Sequence, residues 1–244
     1  MISPRQTLGN YYNDPAARKS FLKQVFDAGA RDYDFVERLL SLGTGARYRR
    51  EALRRAGLAT GMNVLDVAVG TGLVAREEIH IVGAPKLVTG LDPSLGMIRK
   101  AVESLGISVV LGVGEQLPFP DDHFDFVSMG YALRHLTDIS RAFSEFNRVL
   151  KPGGTLCIIE ITAPRHWLSR AMLRGYMRGI VPMVTRVTTG RPQSQLLWKY
   201  YWDTIEACLP PQDILDVIRR SGFADSGHHS EFGIFSEYTG RKPR

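Results

Sequence analysis

The sequence predicts an α/β fold: a doubly wound sheet of seven strands, mostly parallel with an antiparallel last strand, covered by helices on both faces. Three observations predict it. From Met62 to Ile161, short apolar runs alternate with helical stretches, the pattern of parallel strands joined by crossover helices. The first apolar run ends in a glycine-rich turn, Ala68-Val69-Gly70-Thr71-Gly72, which suits a sharp passage from strand to helix. Two short strand-like segments near the end of the chain lie close enough in sequence to pair as a hairpin.

The elements follow in order. Residues 1–60 read as helical. Asp14-Pro15 starts one helix with proline in its first turn. Phe35, Val36, Leu39 and Leu40 share one face of a second. A third, basic helix runs from Arg47 to Ala56 and stops at Gly57. Strands are expected over 62–67, 86–92, 107–113, 124–130 and 154–161. The clearest helix is 138–150, where Ile139, Ala142, Phe143, Phe146, Val149 and Leu150 recur at helical spacing. Lys151-Pro152-Gly153-Gly154 then reads as a turn. A helix in the next segment carries Arg170, Arg174 and Arg178 along one side and is expected to end at Pro182. A helix over 211–221, stopped by Gly222, precedes strands near 226–231 and 233–240. The chain thus divides into N-terminal helices (1–60), an α/β core (61–162), an inserted helical cap (163–200) and a C-terminal helix and hairpin (201–244) that complete the core.

The 244 residues, 44% of them hydrophobic, suffice for one sizeable core. Cys157 and Cys208 are the only cysteines and give neither a metal spacing nor a disulfide framework, as fits a reducing compartment. The first residues lack the apolar centre of a signal peptide, and no run approaches the roughly 18 apolar residues of a membrane span. A soluble cytoplasmic protein is expected. The net charge is +6, and the excess is local: seven basic residues and no Asp or Glu lie between Ala163 and Lys199.

Ligands of a doubly wound sheet bind at the carboxyl ends of its strands, where the strand order reverses. The turn 68–72 has that position, and Asp92 closes the next strand 20 residues after Gly72. A carboxylate there accepts hydrogen bonds from both ribose hydroxyls. A dinucleotide site wants G-x-G-x-x-G, but Ala68 stands in the first glycine position and residues 73–75 supply no third glycine. Asp66 would repel a phosphate and suits a cationic amino-acid group. The ligand implied carries a ribose and a positive charge and no phosphate, as S-adenosylmethionine does.

These residues resemble a class I S-adenosylmethionine-dependent methyltransferase with its Rossmann-like fold. More narrowly, the chain is similar to the ubiquinone/menaquinone biosynthesis C-methyltransferase family. The similarity runs from Val25-Phe26-Asp27 and Arg31-Asp32-Tyr33-Asp34, through Gly114-Glu115-Gln116-Leu117-Pro118 and Tyr131-Ala132-Leu133-Arg134-His135-Leu136-Thr137-Asp138, to Pro210-Pro211-Gln212. It implies that Gly70, Thr71, Gly72 and Asp92 contact the cofactor, with Val113 and Gly114 beside the adenine and Gly130 beside the methionine part. Met97 would pack on the adenine, and Tyr33 would close over the methionine end from an N-terminal lid.

Methyl transfer from a sulfonium is an in-line displacement that needs positioning rather than a protein nucleophile or a metal. An aromatic carbon accepts the methyl group only when a ring hydroxyl is ionised, so a base or a cation near that oxygen helps. Arg134 and His135 follow the fourth strand and are the candidates: Arg134 to stabilise a phenolate, His135 to take the proton. The expected acceptor is a small aromatic or isoprenoid molecule. The basic cap binds it or lies on an anionic membrane surface, in which case the protein sits at the inner face of a membrane. O- or N-methylation of a specialised metabolite, and a non-catalytic binder of the cofactor, stay open at this point. Nucleic acid is not an expected partner: there is no added RNA-binding module, and no Asn-Pro-Pro-Tyr type motif follows the fourth strand.

Overall fold

The structure is a computed structural model that describes residues 21, 22, 34, 37, 38, 41, 43–164, 166–189 and 200–244. Tyr33 and the two helices expected around Asp14-Pro15 and Phe35–Leu40 lie outside the described residues. The apolar runs form β1 (Val64–Val67), β2 (Val88–Asp92), β3 (Ser108–Leu111), β4 (Phe124–Gly130), β5 (Leu150–Ile161), β6 (Ala224–Glu231) and β7 (Phe235–Arg241). They make one sheet of order β3-β2-β1-β4-β5-β7-β6. The pairings among β1 to β5 are parallel, and β7 runs antiparallel to both β5 and β6. The order reverses between β1 and β4, where a crevice opens at the carboxyl ends of the strands.

Helices α1 (Gly45–Arg55), α2 (Leu73–Val82), α3 (Leu95–Leu105), α4 (Ile139–Val149), α5 (Trp167–Gly175), α6 (Val181–Thr189) and α7 (Pro211–Arg220) surround the sheet. Strand periodicity builds a core on each face. Val127, Met129, Leu156 and Ile158 pack with Phe143, Phe146 and Ile218 from α4 and α7 on one side. Phe126, Cys157 and Ile159 face the other side, with Ala52, Leu53 and Val74 from α1 and α2. A smaller third cluster joins Met177 and Val181 to Tyr201, Trp202 and Ile205 of the helical segment 200–206.

Two expectations are corrected. Lys151-Pro152-Gly153-Gly154 is not a turn before β5 but an irregularity within it: Phe124 pairs with Leu150, and Phe126, two residues on, pairs with Thr155. Gly153, at φ +80°, supplies the left-handed backbone that this excursion needs. Nor does Pro182 end the helix that carries the arginines. Residues Tyr176–Ile180 form a π-turn between α5 and α6, with the Val181 N–H donating to the Tyr176 carbonyl. Pro182 therefore falls in the first turn of α6, where its missing N–H costs least.

Candidate cofactor and acceptor site

The crevice at the reversal holds a cavity of about 540 Å³. Its floor is the turn after β1. Ala68 and Gly70 take left-handed φ values of +58° and +57°, which turns the chain sharply enough to bring backbone to the cavity wall. Ala68 stands where glycine costs nothing, so strain is stored at the site. Asp92, on the wall at the end of β2, accepts from the Gly70 N–H at 2.9 Å through Oδ2 and from the Ser94 N–H at 2.8 Å through Oδ1. Its carboxylate is thereby fixed across the turn. Ser94 caps α3 by accepting from the Met97 N–H at 3.2 Å, which fixes Met97 on the wall. Val113, Gly114 and Leu136 continue that apolar side. A Cβ on Gly114 would stand 3.2 Å from Leu136 and 3.3 Å from Val67, so glycine keeps the turn after β3 close to its neighbours.

Thr71 is also on the wall, and its hydroxyl donates to the Asp34 carboxylate at 2.5 Å. Gly72 and Gly130 play different parts. Gly72 lies behind the turn, where a Cβ would run into Leu105. Gly130 is on the wall, and a Cβ there would run into Val74 of α2. Asp92, Glu115, Asp138 and Arg141 are the fully charged side chains on the described wall, a balance that favours a cationic ligand over a phosphate. A ribose-bearing cation fits this set: a fixed carboxylate at the strand end, exposed turn backbone and a separate apolar side.

The position of Asp66 overturns the role expected for it. It is not on the cavity wall but buried beneath the turn, facing Glu78 of α2 with Ser128 of β4 between them. The single Ser128 hydroxyl stands 2.5 Å from Glu78 Oε1 and 3.4 Å from both Asp66 Oδ1 and the Leu65 carbonyl. The Ala75 N–H also reaches Asp66, but one hydroxyl between two buried carboxylates leaves the pair short of donors, which favours a bound proton. Burial, then the neighbouring Glu78 charge, pushes Asp66 well above the usual carboxylate range, while Ser128 pulls it back. Burial pushes Glu78 up to about 7.

The two candidates after β4 part company. His135 is on the wall and stacks on Tyr200, ring centres 5.6 Å apart and planes at 21°. Arg134 points the other way and is fully buried. It pairs with Glu160 of β5, donates through Nε to Thr204 at 3.0 Å and lies 4.5 Å over the Tyr201 ring. It is not on the cavity wall, and the phenolate-stabilising role expected for it is corrected: burial against Glu160, Thr204 and Tyr201 turns its guanidinium away from the cavity. Tyr201 itself is on the wall.

Sequence reasoning missed Glu78 and Glu160, and it met Tyr131 and Tyr201 only within motifs of the family resemblance, with no role of their own. Two of these had a signal. Glu78 occupies a position on the buried stripe of α2 with Val74, Ala75, Ile81 and Val82, and Glu160 interrupts the apolar run Cys157–Ile161. An acid in such a place needs a partner.

The sheet order and the turn-plus-carboxylate crevice define a class I S-adenosylmethionine-dependent methyltransferase. Comparison with known proteins narrows this: the profile of the ubiE/COQ5 methyltransferase family matches residues 15–242, and the chain belongs to that family. It is 34% identical over 230 residues to the ubiquinone/menaquinone biosynthesis C-methyltransferase UbiE of Geobacter sulfurreducens, covering 91% of this chain and 88% of the relative. It is 34% identical over 220 residues to a demethylmenaquinone methyltransferase of Corynebacterium urealyticum, covering 90% and 93%. Among solved structures, it resembles the phosphoethanolamine N-methyltransferase 2 of Haemonchus contortus in complex with S-adenosyl-L-methionine, with a TM-score of 0.66 and 18% identity over 93% of this chain and 60% of that one. A methyltransferase of Thermotoga maritima, described as a possible histamine N-methyltransferase, gives a TM-score of 0.64 at 21% identity over 91% and 99%. At those identities the likeness concerns the fold. The protein is an S-adenosylmethionine-dependent methyltransferase and acts on a small-molecule acceptor.

Proposed function

We propose that the protein methylates a ring carbon of a prenylated hydroquinone, a quinone precursor. The observation that carries this reading is the side of the cavity away from Asp92. There Leu22, Tyr131, His135 and Tyr201 make a mainly apolar wall with one imidazole, the surroundings a phenolic ring with an apolar tail requires. The relatives' names point the same way.

S-adenosylmethionine, when bound, supplies a methyl group activated on a sulfonium. In this reading Asp92 accepts the ribose hydroxyls, and Gly70, Thr71 and Gly130 line the path to the methionine end. Met97, Val113 and Gly114 enclose the adenine. His135 accepts the phenolic proton at an imidazole nitrogen, which moves electron density onto the ring carbon. Its stacking on Tyr200 keeps the imidazole in one orientation. Arg134 acts through Tyr201 and is a positioning residue. Residues 1–60, with Tyr33, serve as a lid, and 163–200 serve as an acceptor-binding cap whose inner face includes Met177 and Val181. An acceptor with an isoprenoid tail resides in a bilayer, so we place the enzyme in the cytoplasm with transient contact to the inner face of a membrane.

The test is turnover with a methyl-labelled donor and three acceptors: a short-chain prenylated hydroquinone, the same molecule as its quinone, and a primary amine. Label is expected only in the hydroquinone reaction. Labelling of the amine, or equal labelling of hydroquinone and quinone, contradicts the reading, because neither needs a phenolic proton to be removed.

A further inference from the structure

We infer that the outer face of α5 and α6 docks on an anionic lipid surface, with aliphatic and thioether side chains entering the bilayer and Arg186 at its headgroups. This rests on the hydroquinone reading only for its purpose, since the surface itself is a property of the fold.

The inserted helices are apolar on two opposite sides. Met177, Val181 and Thr185 are buried, and the first two pack on Tyr201, Trp202 and Ile205. Away from that contact, Leu168, Met172, Ile180, Met183 and Val187 are 48 to 80% exposed, and Trp167 at the start of α5 is 74% exposed. Among the described residues, these are six of the ten exposed large apolar side chains; the other four are scattered over α3, β3 and the β6–β7 turn. A face of this kind marks a contact surface.

The π-turn aligns the face. In an unbroken α-helix, the eight residues from Met172 to Ile180 would carry Ile180 about 80° around the axis from Met172. The wider turn over Tyr176–Ile180 advances less per residue and takes that rotation back. Ile180, Met183 and Val187 then continue the line of Leu168 and Met172, while Met177, Val181 and Thr185 stay against the core. A π-turn that keeps two apolar stripes in register along both helices has a use only if the outer stripe meets something.

Charge selects the occupant. The arginine row expected to face a membrane is largely committed elsewhere: Arg170 pairs with Glu206 and Arg178 with Asp203, which ties the helices down onto segment 200–206. Arg174 lies in the same row as these two, turned away from the apolar stripe, whereas Arg186 is exposed on the flank of that stripe and pairs with no described carboxylate. No Asp or Glu occurs between Ala163 and Lys199. Pairing two copies through this face would bring their Arg186 side chains together with no local acid to neutralise them. An anionic bilayer satisfies both features, because it accepts an apolar stripe of any detailed shape and attracts the flanking cation. Trp167 has the amphipathic ring that settles at headgroup level. The docked face lies one helix thickness, about 10 Å, from the segment carrying Tyr201 on the cavity wall.

The test is flotation of the full chain with vesicles of phosphatidylcholine alone and of phosphatidylcholine with phosphatidylglycerol, for wild type, Met172→Glu/Val187→Glu and Arg186→Gln. Wild type is expected to float with the anionic vesicles, and brominated lipid is expected to quench Trp167, read against Trp167→Phe. The glutamate pair should weaken binding at least about ten-fold. Arg186→Gln should reduce its salt dependence. Both variants alter exposed side chains, so an unchanged melting temperature shows that they fold. Equal binding by wild type and the glutamate pair overturns the inference. So does wild type that stays with the buffer, or a wild-type dimer in sedimentation that the glutamate pair dissolves. Methyl transfer by the glutamate pair to a water-soluble short-chain hydroquinone separates the two readings. Lost flotation with that activity intact locates the defect at the lipid surface, whereas flotation with no activity toward any hydroquinone leaves docking standing and removes the proposed reaction.

Discussion

At the residue scale, the carboxylates around the turn divide the work. Asp92 was legible because a strand-end acid after a glycine-rich turn has one geometric reading, and its two backbone hydrogen bonds now hold it in place. Asp66 was legible as an acid but not as a buried one, since the partner that draws it inward, Glu78, sits on a helix 12 residues later. Replacing Asp92 by Asn removes two charge-assisted acceptors, so binding of S-adenosylhomocysteine measured by calorimetry should weaken at least about ten-fold. His135→Gln should lower kcat by about 100-fold with unchanged cofactor affinity; parallel losses in both would make His135 a cofactor contact instead. The proton on the Asp66–Glu78 pair gives a pH signature. Glu78 ionises at its ordinary 4.5 when unfolded and near 7 when folded, so the folded chain binds the extra proton between those values. The stability it contributes is complete below 4.5 and is lost as the pH rises through 7. Wild type should lose about 1–3 kcal/mol between pH 5 and 8 from this source, and Glu78→Gln should flatten the thermal melting profile over that range. An identical slope in the two proteins would show that Glu78 does not carry this raised titration.

At the element scale, the structure departs from the sequence where a local signal met a non-local demand. Pro152, Gly153 and Gly154 have turn chemistry, yet β4 pairs on both sides of them and holds them within β5. Pro182 has helix-stopping chemistry, yet the π-turn before it lets the helix resume. The helix expected over 138–150 is observed over Ile139–Val149, with Leu150 passing to β5: Asp138 caps it by accepting from the Ser140 and Arg141 N–H groups at 3.1 and 3.3 Å, and Ile139, Ala142, Phe143, Phe146 and Val149 are buried. Arg134 shows the same conflict at a site, because its neighbour in sequence faces the cavity while it is drawn to Glu160 and Thr204. That buried pair joins β5, the turn after β4 and segment 200–206. Arg134→Met should cost about 3–5 kcal/mol by leaving Glu160 buried without its cation. Arg134→Met with Glu160→Leu should recover most of it in chemical denaturation. A double variant no more stable than the single one would mean that the arginine stabilises through packing on Tyr201 rather than through its charge.

At the scale of the whole molecule, strand alternation, turn and carboxylate sufficed to place the crevice at the strand ends, because those features act within about 30 consecutive residues of a βαβ unit. The side of the cavity away from Asp92 was less legible. Its wall is assembled from Leu22, Tyr131, His135 and Tyr201, which come from three separate stretches of chain that only the fold brings together. No helix among the described residues is long and apolar enough to cross a membrane. The central claim is that this cavity brings an activated methyl group to a ring carbon of a hydroquinone. The most direct measurement is a carbon–proton correlation spectrum of the product formed from a carbon-13 methyl donor and a short-chain demethylated hydroquinone. The account predicts a labelled methyl group correlated to ring carbons, with both ring oxygens unsubstituted. A labelled methyl group on oxygen, or no labelled product from an enzyme that binds S-adenosylmethionine, would contradict it.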